Sequence, residues 1–126
     1  MEHYDLVVVG TGSGNSIVDK RFADLRVAIV EKGTFGGTCL NVGCIPTKMF
    51  VHTADVAAAV ADGGRLGVDA ELGGVRWADV RDRIFGRIDP IADSGRSYRI
   101  GHPNNANVTV YEGTARFTGQ RALEVT

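Results

Sequence analysis

Two cysteines, Cys39 and Cys44, are the only thiols in this chain, and four residues separate them. A pair this close can act as a redox centre, because a disulfide takes up two electrons and two protons to become two thiols. A structural disulfide, a metal site and two inert buried thiols are the alternatives. A metal site would need further ligands, and the three histidines, His3, His52 and His102, lie far apart in the sequence. We therefore interpret the cysteine pair as a redox centre.

The spacing of the cysteines constrains the backbone between them. On a regular α-helix, residues i and i+5 have Cα atoms roughly 8–9 Å apart, whereas a disulfide requires less than about 7 Å. If the two sulfurs bond, residues 39–44 cannot be a regular helix throughout. Asn41 and Gly43 tolerate irregular backbone angles, and Pro46 cannot donate a hydrogen bond to the carbonyl four residues earlier. A helix that starts here would favour a thiolate at its positive end, and Lys48 would add positive charge.

A glycine-rich loop lies upstream of the cysteines. Residues 4–9 are a β-branched run that predicts a buried parallel strand, and Gly10, Gly12 and Gly14 follow it. The first glycine allows a tight turn, and the second lets the backbone approach a pyrophosphate at the start of a helix. Asn15 stands where the usual fingerprint has Gly or Ala, so the helix could lie slightly further from the sheet. A tight turn in an ordinary α/β domain is the alternative interpretation.

An acidic residue completes this pattern. Glu31 lies 21 residues after Gly10, at the end of the second predicted strand. A carboxylate there can accept hydrogen bonds from ribose hydroxyls, and it would repel a 2′-phosphate. The pattern therefore predicts a site for FAD or NAD rather than for NADP.

The remaining sequence predicts the elements that position these residues, in an α/β fold. A helix over residues 17–25 and a strand over residues 26–30 complete a Rossmann-like βαβ unit. A helical pair follows, over residues 47–61 and from residue 77, and Pro90 should kink or end the second helix before residues 91–98 continue it. Trp77, Ile84 and Ile88 recur at helical spacing and are expected in the core. Alternating residues from 108 onward predict an antiparallel β segment.

Composition excludes several classes of function. The formal net charge of −1 gives no broad basic field for nucleic acid or for an anionic membrane. No window reaches the roughly 20 apolar residues of a membrane span, and the N-terminus lacks the basic start of a secretory signal. We expect a cytoplasmic protein of one domain that binds neither nucleic acid nor membrane. Because the sequence stops within its last alternation of apolar and polar residues, we expect a longer protein of which this is the front part.

The segment of residues 37–48, Gly-Thr-Cys-Leu-Asn-Val-Gly-Cys-Ile-Pro-Thr-Lys, resembles the active-site signature of the FAD-dependent pyridine nucleotide-disulfide oxidoreductases. The glycine loop and Glu31 agree with that resemblance, which runs from residue 4 to about residue 118. Within the family, residues 10–16, 35–38 and 83–92 are most similar to the mycothione reductase branch. Asn15 is then a trait of that branch.

The resemblance implies a role for each of these positions. Electrons would pass from NADPH to FAD, then to the Cys39–Cys44 disulfide and on to a low-molecular-weight disulfide, mycothione in this branch. Cys44 would be the thiolate next to the flavin, Cys39 would attack the substrate, and Lys48 would tune the flavin. The positions implied to bind FAD are Gly10, Gly12, Gly14, Glu31, Gly37, Thr38, Cys44 and Lys48.

The same resemblance implies that parts of the enzyme lie outside this chain. Residues 1–126 would be the N-terminal part of a truncated FAD-binding domain, without the nicotinamide and dimerisation domains. The family is homodimeric and takes a His-Glu acid/base pair from the partner subunit, so we expect little or no turnover from this chain alone. Dihydrolipoyl dehydrogenase and mercuric reductase of the same family remain alternatives. From a different class, so does a stand-alone FAD-binding module with inert thiols.

Overall fold

A three-stranded parallel sheet forms the centre of the protein, which we describe from a computed structural model covering residues 1–126. The strands are β1 (Leu6–Val9), β2 (Val27–Glu31), β3 (Val108–Glu112), β4 (Ala115–Gly119) and β5 (Ala122–Val125). The α-helices are α1 (Gly37–Asn41), α2 (Cys44–Asp62) and α3 (Trp77–Gly101). The sheet order is β1-β2-β3, and β4 and β5 form a separate two-stranded sheet. No helix in the fold combines the length and apolar character needed to cross a membrane.

The central strand β2 carries the core. Its first four residues are buried on both faces, as expected for a strand in the middle of a parallel sheet. On one face, Val27 and Ile29 form a cluster with Val18 from the connection between β1 and β2. The partly buried side chains packed against this cluster are Leu6, Val8, Phe22, Val108 and Val110. The two strands predicted from the apolar runs are therefore confirmed.

The connection between β1 and β2 differs from the predicted helix over residues 17–25. Two short 3-10 segments, Ser13–Ile17 and Lys20–Phe22, take its place. Val18 between them has extended backbone angles, φ −74° and ψ 96°, and it turns its side chain into the core. The Asp19 carboxylate then accepts a 2.9 Å hydrogen bond from the backbone N–H of Arg21, which starts a new turn. The strands remain parallel although no α-helix joins them.

The two long helices follow the sequence pattern more closely. Helix α2 ends at Asp62, one residue after the predicted end, and α3 continues through Pro90 to Gly101. Pro90 removes one helical hydrogen bond, but the helix is held on both sides because Ile84 and Ile88 before Pro90 and Ala92 after it are buried. Trp77 is not in the core, contrary to the prediction. It is 60% exposed and stacks on Phe50 at 5.1 Å between ring centroids.

The C-terminal β segment is antiparallel only in part. β4 and β5 pair in antiparallel fashion, as predicted. β3 instead pairs parallel to β2, with Val27 opposite Val108. Asn107 anchors its entry, since the side-chain amide donates 2.8 Å hydrogen bonds to the carbonyls of Phe22 and Leu25. An alternating pattern gives the exposed and buried faces of a strand but not its direction, which explains the error.

Candidate functional site

The two cysteines form a disulfide at a break between helices. Helix α1 ends at Asn41, and helix α2 begins at Cys44. Val42 and Gly43 between them leave the helical region, with φ/ψ of −140°/10° and −124°/−120°. The Cα atoms of Cys39 and Cys44 are thereby brought to 4.7 Å, and the disulfide closes. The predicted irregular backbone between the cysteines is confirmed.

Asn41 fixes the end of helix α1. Its side-chain amide donates hydrogen bonds to the carbonyls of Phe35 at 2.8 Å, Gly37 at 3.1 Å and Thr34 at 3.3 Å. Asn41, which lies between the two cysteines, thus holds the carbonyls of Thr34 and Phe35 in the preceding loop and that of Gly37 at the start of α1. These bonds tie the last residue of α1 to its first residue and to the loop before it, so the short helix is stabilised locally.

Gly43 is required at the break by close contact rather than by a left-handed conformation. A Cβ atom on this residue would lie 2.7 Å from the carbonyl oxygen of Thr38 and 3.2 Å from the Cα of Cys39. Both neighbours are backbone atoms, which cannot move aside without opening the segment. The missing side chain therefore lets Cys39 approach Cys44.

The cysteine segment lies directly against the glycine loop. Gly37 has φ +69°, and a Cβ atom there would lie 2.5 Å from the Cα of Gly12 and 3.0 Å from its nitrogen. The backbone N–H of Gly36 donates a 3.0 Å hydrogen bond to Oγ1 of Thr11. Gly10 has φ +94°, which agrees with the tight turn predicted after β1. The structure therefore brings the two motifs together through backbone contact.

Glu31 lies beside the same loop, at the carboxyl end of β2. Its Oε2 accepts hydrogen bonds from the backbone N–H of Thr11 at 2.9 Å and from its hydroxyl at 2.6 Å. Its Oε1 accepts a 2.9 Å bond from the backbone N–H of Gly33. Partial burial raises the pKa of Glu31, but the Thr11 hydroxyl and the backbone N–H groups of Gly33, Thr11 and Lys32 outweigh it and hold the pKa below its usual range.

The lowered pKa of Glu31 predicts a pH-dependent stability. A carboxylate with a depressed pKa stabilises the fold above the pKa of the unfolded chain, about 4.3, and the contribution is lost as pH falls through the folded value. Glu31→Gln should lower Tm at pH 7 by about 2–6 °C, and the difference should shrink below about pH 4. Thermal unfolding from pH 3 to pH 8 measures this. Glu124→Gln is the matched control, since Glu124 is exposed on β5, and equal Tm values for Glu31→Gln and wild type at pH 7 would contradict the prediction.

An open cavity of about 420 Å³ lies beside Cys44. Lys48, one helical turn after Cys44 on α2, contributes to its wall, as the sequence predicted for a residue on the same side. His52 follows one turn later, and Arg83 of α3 reaches the same wall while donating a 3.0 Å hydrogen bond to Oγ1 of Thr53. The disulfide is therefore accessible, with basic side chains next to it.

The predicted loop residues differ in their surroundings. Thr38 is exposed at the start of α1, and Gly14 has open space around it. Gly14 lies in the short 3-10 segment, so the loop does not lead into the long helix that the sequence predicted. Any pyrophosphate contact here must therefore use the loop backbone itself rather than the end of a long helix.

Two functional candidates were missed by the sequence. A charged side chain on a helix is usually solvated, but Arg99 of α3 is only 9% exposed. Its guanidinium donates hydrogen bonds to the carbonyls of Asn15 and Val18. Asn15 is itself buried, and its Nδ2 has no hydrogen-bond partner. A signal existed, since at 100° per residue Arg99 falls within the buried stripe that Ile84, Ile88 and Ala92 define.

Comparison with known proteins shows the family of the chain. No family model matches the chain. Mycothione reductase of Mycobacterium tuberculosis is 59% identical over 117 residues, 93% of this chain and 25% of the relative. Dihydrolipoyl dehydrogenase of Corynebacterium glutamicum is 36% identical over 128 residues, 99% of this chain and 26% of the relative. The chain belongs to the pyridine nucleotide-disulfide oxidoreductase family.

A solved member of the family has the same fold. It is the HOCl-induced flavoprotein disulfide reductase RclA from Escherichia coli, determined as a Cu(II) complex. The TM-score is 0.71 at 25% identity, with 96% of this chain and 24% of the RclA chain covered. The family and the α/β fold class predicted from residues 37–48 and the strand pattern are thereby confirmed. The chain spans about a quarter of the length of the family members that it matches.

Proposed function

We propose that the chain is the FAD-binding part of a flavin-dependent disulfide reductase whose Cys39–Cys44 disulfide reduces a small disulfide. One observation carries the proposal. The disulfide closes across a helix break, and the same segment touches the glycine loop through Gly37 and Gly12. A purely structural disulfide would not need to lie against a nucleotide-binding loop. The similarity to mycothione reductase and to the flavoprotein disulfide reductase RclA supports the same conclusion.

The residues at the loop fit an FAD. Gly12 has no side chain, so other groups can come close to its backbone, as Gly37 does. Glu31 lies at the end of the adjacent strand, and its lowered pKa keeps the carboxylate ionised. Asn15 contributes a buried amide donor without a partner. When bound, FAD supplies two-electron transfer between a nicotinamide and a disulfide. The residues proposed to hold it are Gly10, Gly12, Gly14, Glu31, Gly37, Thr38, Cys44 and Lys48.

The two sulfurs divide the exchange between them. In the reduced pair, the Cys39 thiolate attacks one sulfur of the substrate disulfide, which forms a mixed disulfide and releases one substrate thiol. The Cys44 thiolate then attacks the Cys39 sulfur, re-forms the internal disulfide and releases the second thiol. Cys44 is the first residue of the 19-residue helix α2, where the positive end of the helix and the nearby Lys48 favour a thiolate.

The finer parts of the proposal concern the longer protein. We place residues 1–126 in the N-terminal part of its FAD-binding domain. The matched relatives are about four times as long, which leaves room for the nicotinamide and dimerisation domains. The substrate we propose is mycothione, since the identity to the mycobacterial enzyme is high, and the electron donor is NADPH. The full protein is a cytoplasmic homodimer whose partner subunit supplies the acid/base pair. Dihydrolipoyl dehydrogenase activity is the alternative that the second relative favours.

Flavin and thiol titrations test the proposal on the chain itself. Adding the purified chain to FAD should quench flavin fluorescence to an end point of one FAD per chain. Thiol counting should give no free thiol in air and two after mild reduction, since the two cysteines are paired. Bound FAD with two thiols that stay free in air would favour a stand-alone module instead. Absence of FAD binding would contradict the proposal.

The substrate needs the full-length enzyme. Relative kcat/KM values on mycothione, glutathione disulfide and lipoamide separate the family members from one another. A higher kcat/KM on lipoamide than on mycothione would show that the enzyme is a dihydrolipoyl dehydrogenase rather than a mycothione reductase.

A further inference from the structure

We propose that Arg99 is a positioning residue for the glycine loop. Its guanidinium fixes the backbone over residues 15–18, which directly follow Gly14, and thereby sets the affinity for FAD. This inference rests on the proposed FAD site. Arg99 lies near the end of α3, more than 80 residues after the loop, and its hydrogen bonds go to Asn15, Val18 and Asn105 rather than to the cysteine segment. It would act on the cofactor through the shape of the loop and through its own positive charge.

Three hydrogen bonds place the guanidinium. Nη2 donates to the carbonyl of Asn15 at 2.8 Å, and Nη1 donates to the carbonyl of Val18 at 3.0 Å. Nη1 also donates to Oδ1 of Asn105 at 3.0 Å. The Asn105 amide in turn donates to the carbonyl of Tyr98 at 2.7 Å, which ties the guanidinium back to its own helix. A planar guanidinium holds two carbonyls at a fixed separation, which an ammonium cannot do.

The loop needs this partner because it does not form an α-helix. Residues Ser13–Ile17 form a single short 3-10 segment, and Val18 then leaves helical geometry. The carbonyl of Asn15 accepts a 3.2 Å bond from the backbone N–H of Val18, and the second acceptor position of that oxygen is filled by Arg99. The Val18 carbonyl takes its bond from the same guanidinium. A buried carbonyl without a partner is costly, so the loop shape depends on Arg99.

Side-chain packing offers less support on this side of the loop. A cavity of about 300 Å³ lies between the loop and α3, lined by Thr11, Asn15, Ile91, Tyr98 and Arg99 among others. Where a cavity separates two elements, few van der Waals contacts hold them at a fixed distance. The hydrogen bonds of Arg99 cross this gap and carry the coupling.

The charge of Arg99 points to the same role. None of the six ion pairs in the protein includes Arg99, so its three partners are neutral oxygens. A buried charge that no carboxylate neutralises is screened less than an exposed one and favours an anionic ligand nearby. The pyrophosphate of FAD is such a ligand. Arg99 therefore supplies both the shape of the loop and a favourable potential beneath it.

FAD titration of the 126-residue chain measures the effect on affinity. We expect Arg99→Ala to raise the Kd for FAD by at least about tenfold, as for the loss of a charged hydrogen-bond donor. Arg99→Lys keeps the charge but not the fork, so its Kd should lie between those of wild type and Arg99→Ala. The control is Arg96→Ala on the same helix. It removes an exposed ion pair between Arg96 and Glu112 of β3 and should change the Kd for FAD less than about twofold. Wild-type affinity in both Arg99 variants would overturn the inference.

Two further readouts distinguish positioning from general destabilisation. Hydrogen exchange should speed up at the amides of residues 13–19 in Arg99→Ala and stay unchanged in β2. Ethylguanidinium should restore FAD affinity to Arg99→Ala, whereas ethylammonium should not. Equal loss of protection in the loop and in β2 would contradict the inference, and so would failure of ethylguanidinium to rescue binding. If the wild-type chain binds no FAD, the proposed function fails, and the exchange pattern alone then decides whether Arg99 holds the loop.

Discussion

Cys39→Ser and Cys44→Ser should each end disulfide exchange after one thiol has reacted. The reduced wild-type chain should release two equivalents of thionitrobenzoate from dithionitrobenzoate, because the second cysteine displaces the first adduct and closes the disulfide seen here. Each single variant should release one equivalent and retain one as a mixed disulfide. Absorbance counts the thionitrobenzoate that is released, and mass spectrometry counts the adduct that stays on the protein. In the full enzyme, either substitution should abolish turnover of the disulfide substrate.

The control is the double variant Cys39→Ser/Cys44→Ser, which should release none. If the wild-type chain retains two adducts and forms no internal disulfide, the redox interpretation is wrong. The separate roles are tested by absorbance of the FAD-loaded full enzyme. Wild type should show a long-wavelength thiolate–flavin band after anaerobic two-electron reduction, because the electrons open the disulfide and leave the flavin oxidised. Cys39→Ser should show the band without reduction, because Cys44 is then a free thiolate beside oxidised flavin, and Cys44→Ser should lack the band in either state. The opposite result would exchange the two roles.

Gly37→Ala should separate the glycine loop from the cysteine segment. The new Cβ would lie 2.5 Å from the Cα of Gly12, and the backbone has φ +69°, which side-chain-bearing residues rarely adopt. The Cα and the nitrogen of Gly12 are both backbone atoms, so no change of side-chain rotamer can relieve these contacts. We expect a loss of about 2–4 kcal/mol in the free energy of unfolding and a loss of measurable FAD binding. Urea unfolding and the flavin titration measure the two effects.

Gly86→Ala is the matched control for this substitution. Gly86 lies inside α3, and a Cβ atom there meets nothing within 4 Å. Alanine should therefore raise stability by about 0.5–1 kcal/mol through its helix propensity and leave FAD binding unchanged. Stability and FAD affinity of Gly37→Ala equal to wild type would show that the loop and the cysteine segment are not in the contact described here.

Local chemistry allowed much of the site to be predicted. The step of five residues between Cys39 and Cys44 requires a broken helix for a disulfide, and the break lies at Val42 and Gly43, directly after Asn41. The apolar run before Gly10 predicted β1 in the same way. These features depend on residues close together in sequence, where backbone geometry and residue type leave few alternatives.

Long-range contacts decided what the sequence could not. The helix over residues 17–25 was expected from local periodicity, but burial of Val18 in the core and bonding of its carbonyl to Arg99 favour an extended residue there. The direction of β3 depends on the path of the intervening chain, since one strand pattern suits both directions. Trp77 stacks on the ring of Phe50 and is not buried in the core.

The sequence by itself determined the close cysteine pair, the glycine turn and the family, because each depends on spacing within a short segment. Only the tertiary structure showed that Gly37 touches Gly12 and that Arg99 supports the loop from α3. Both contacts join parts of the chain that are distant in sequence. Their partners include backbone atoms, whose positions depend on the packing of the whole sheet and helix pair rather than on residue type.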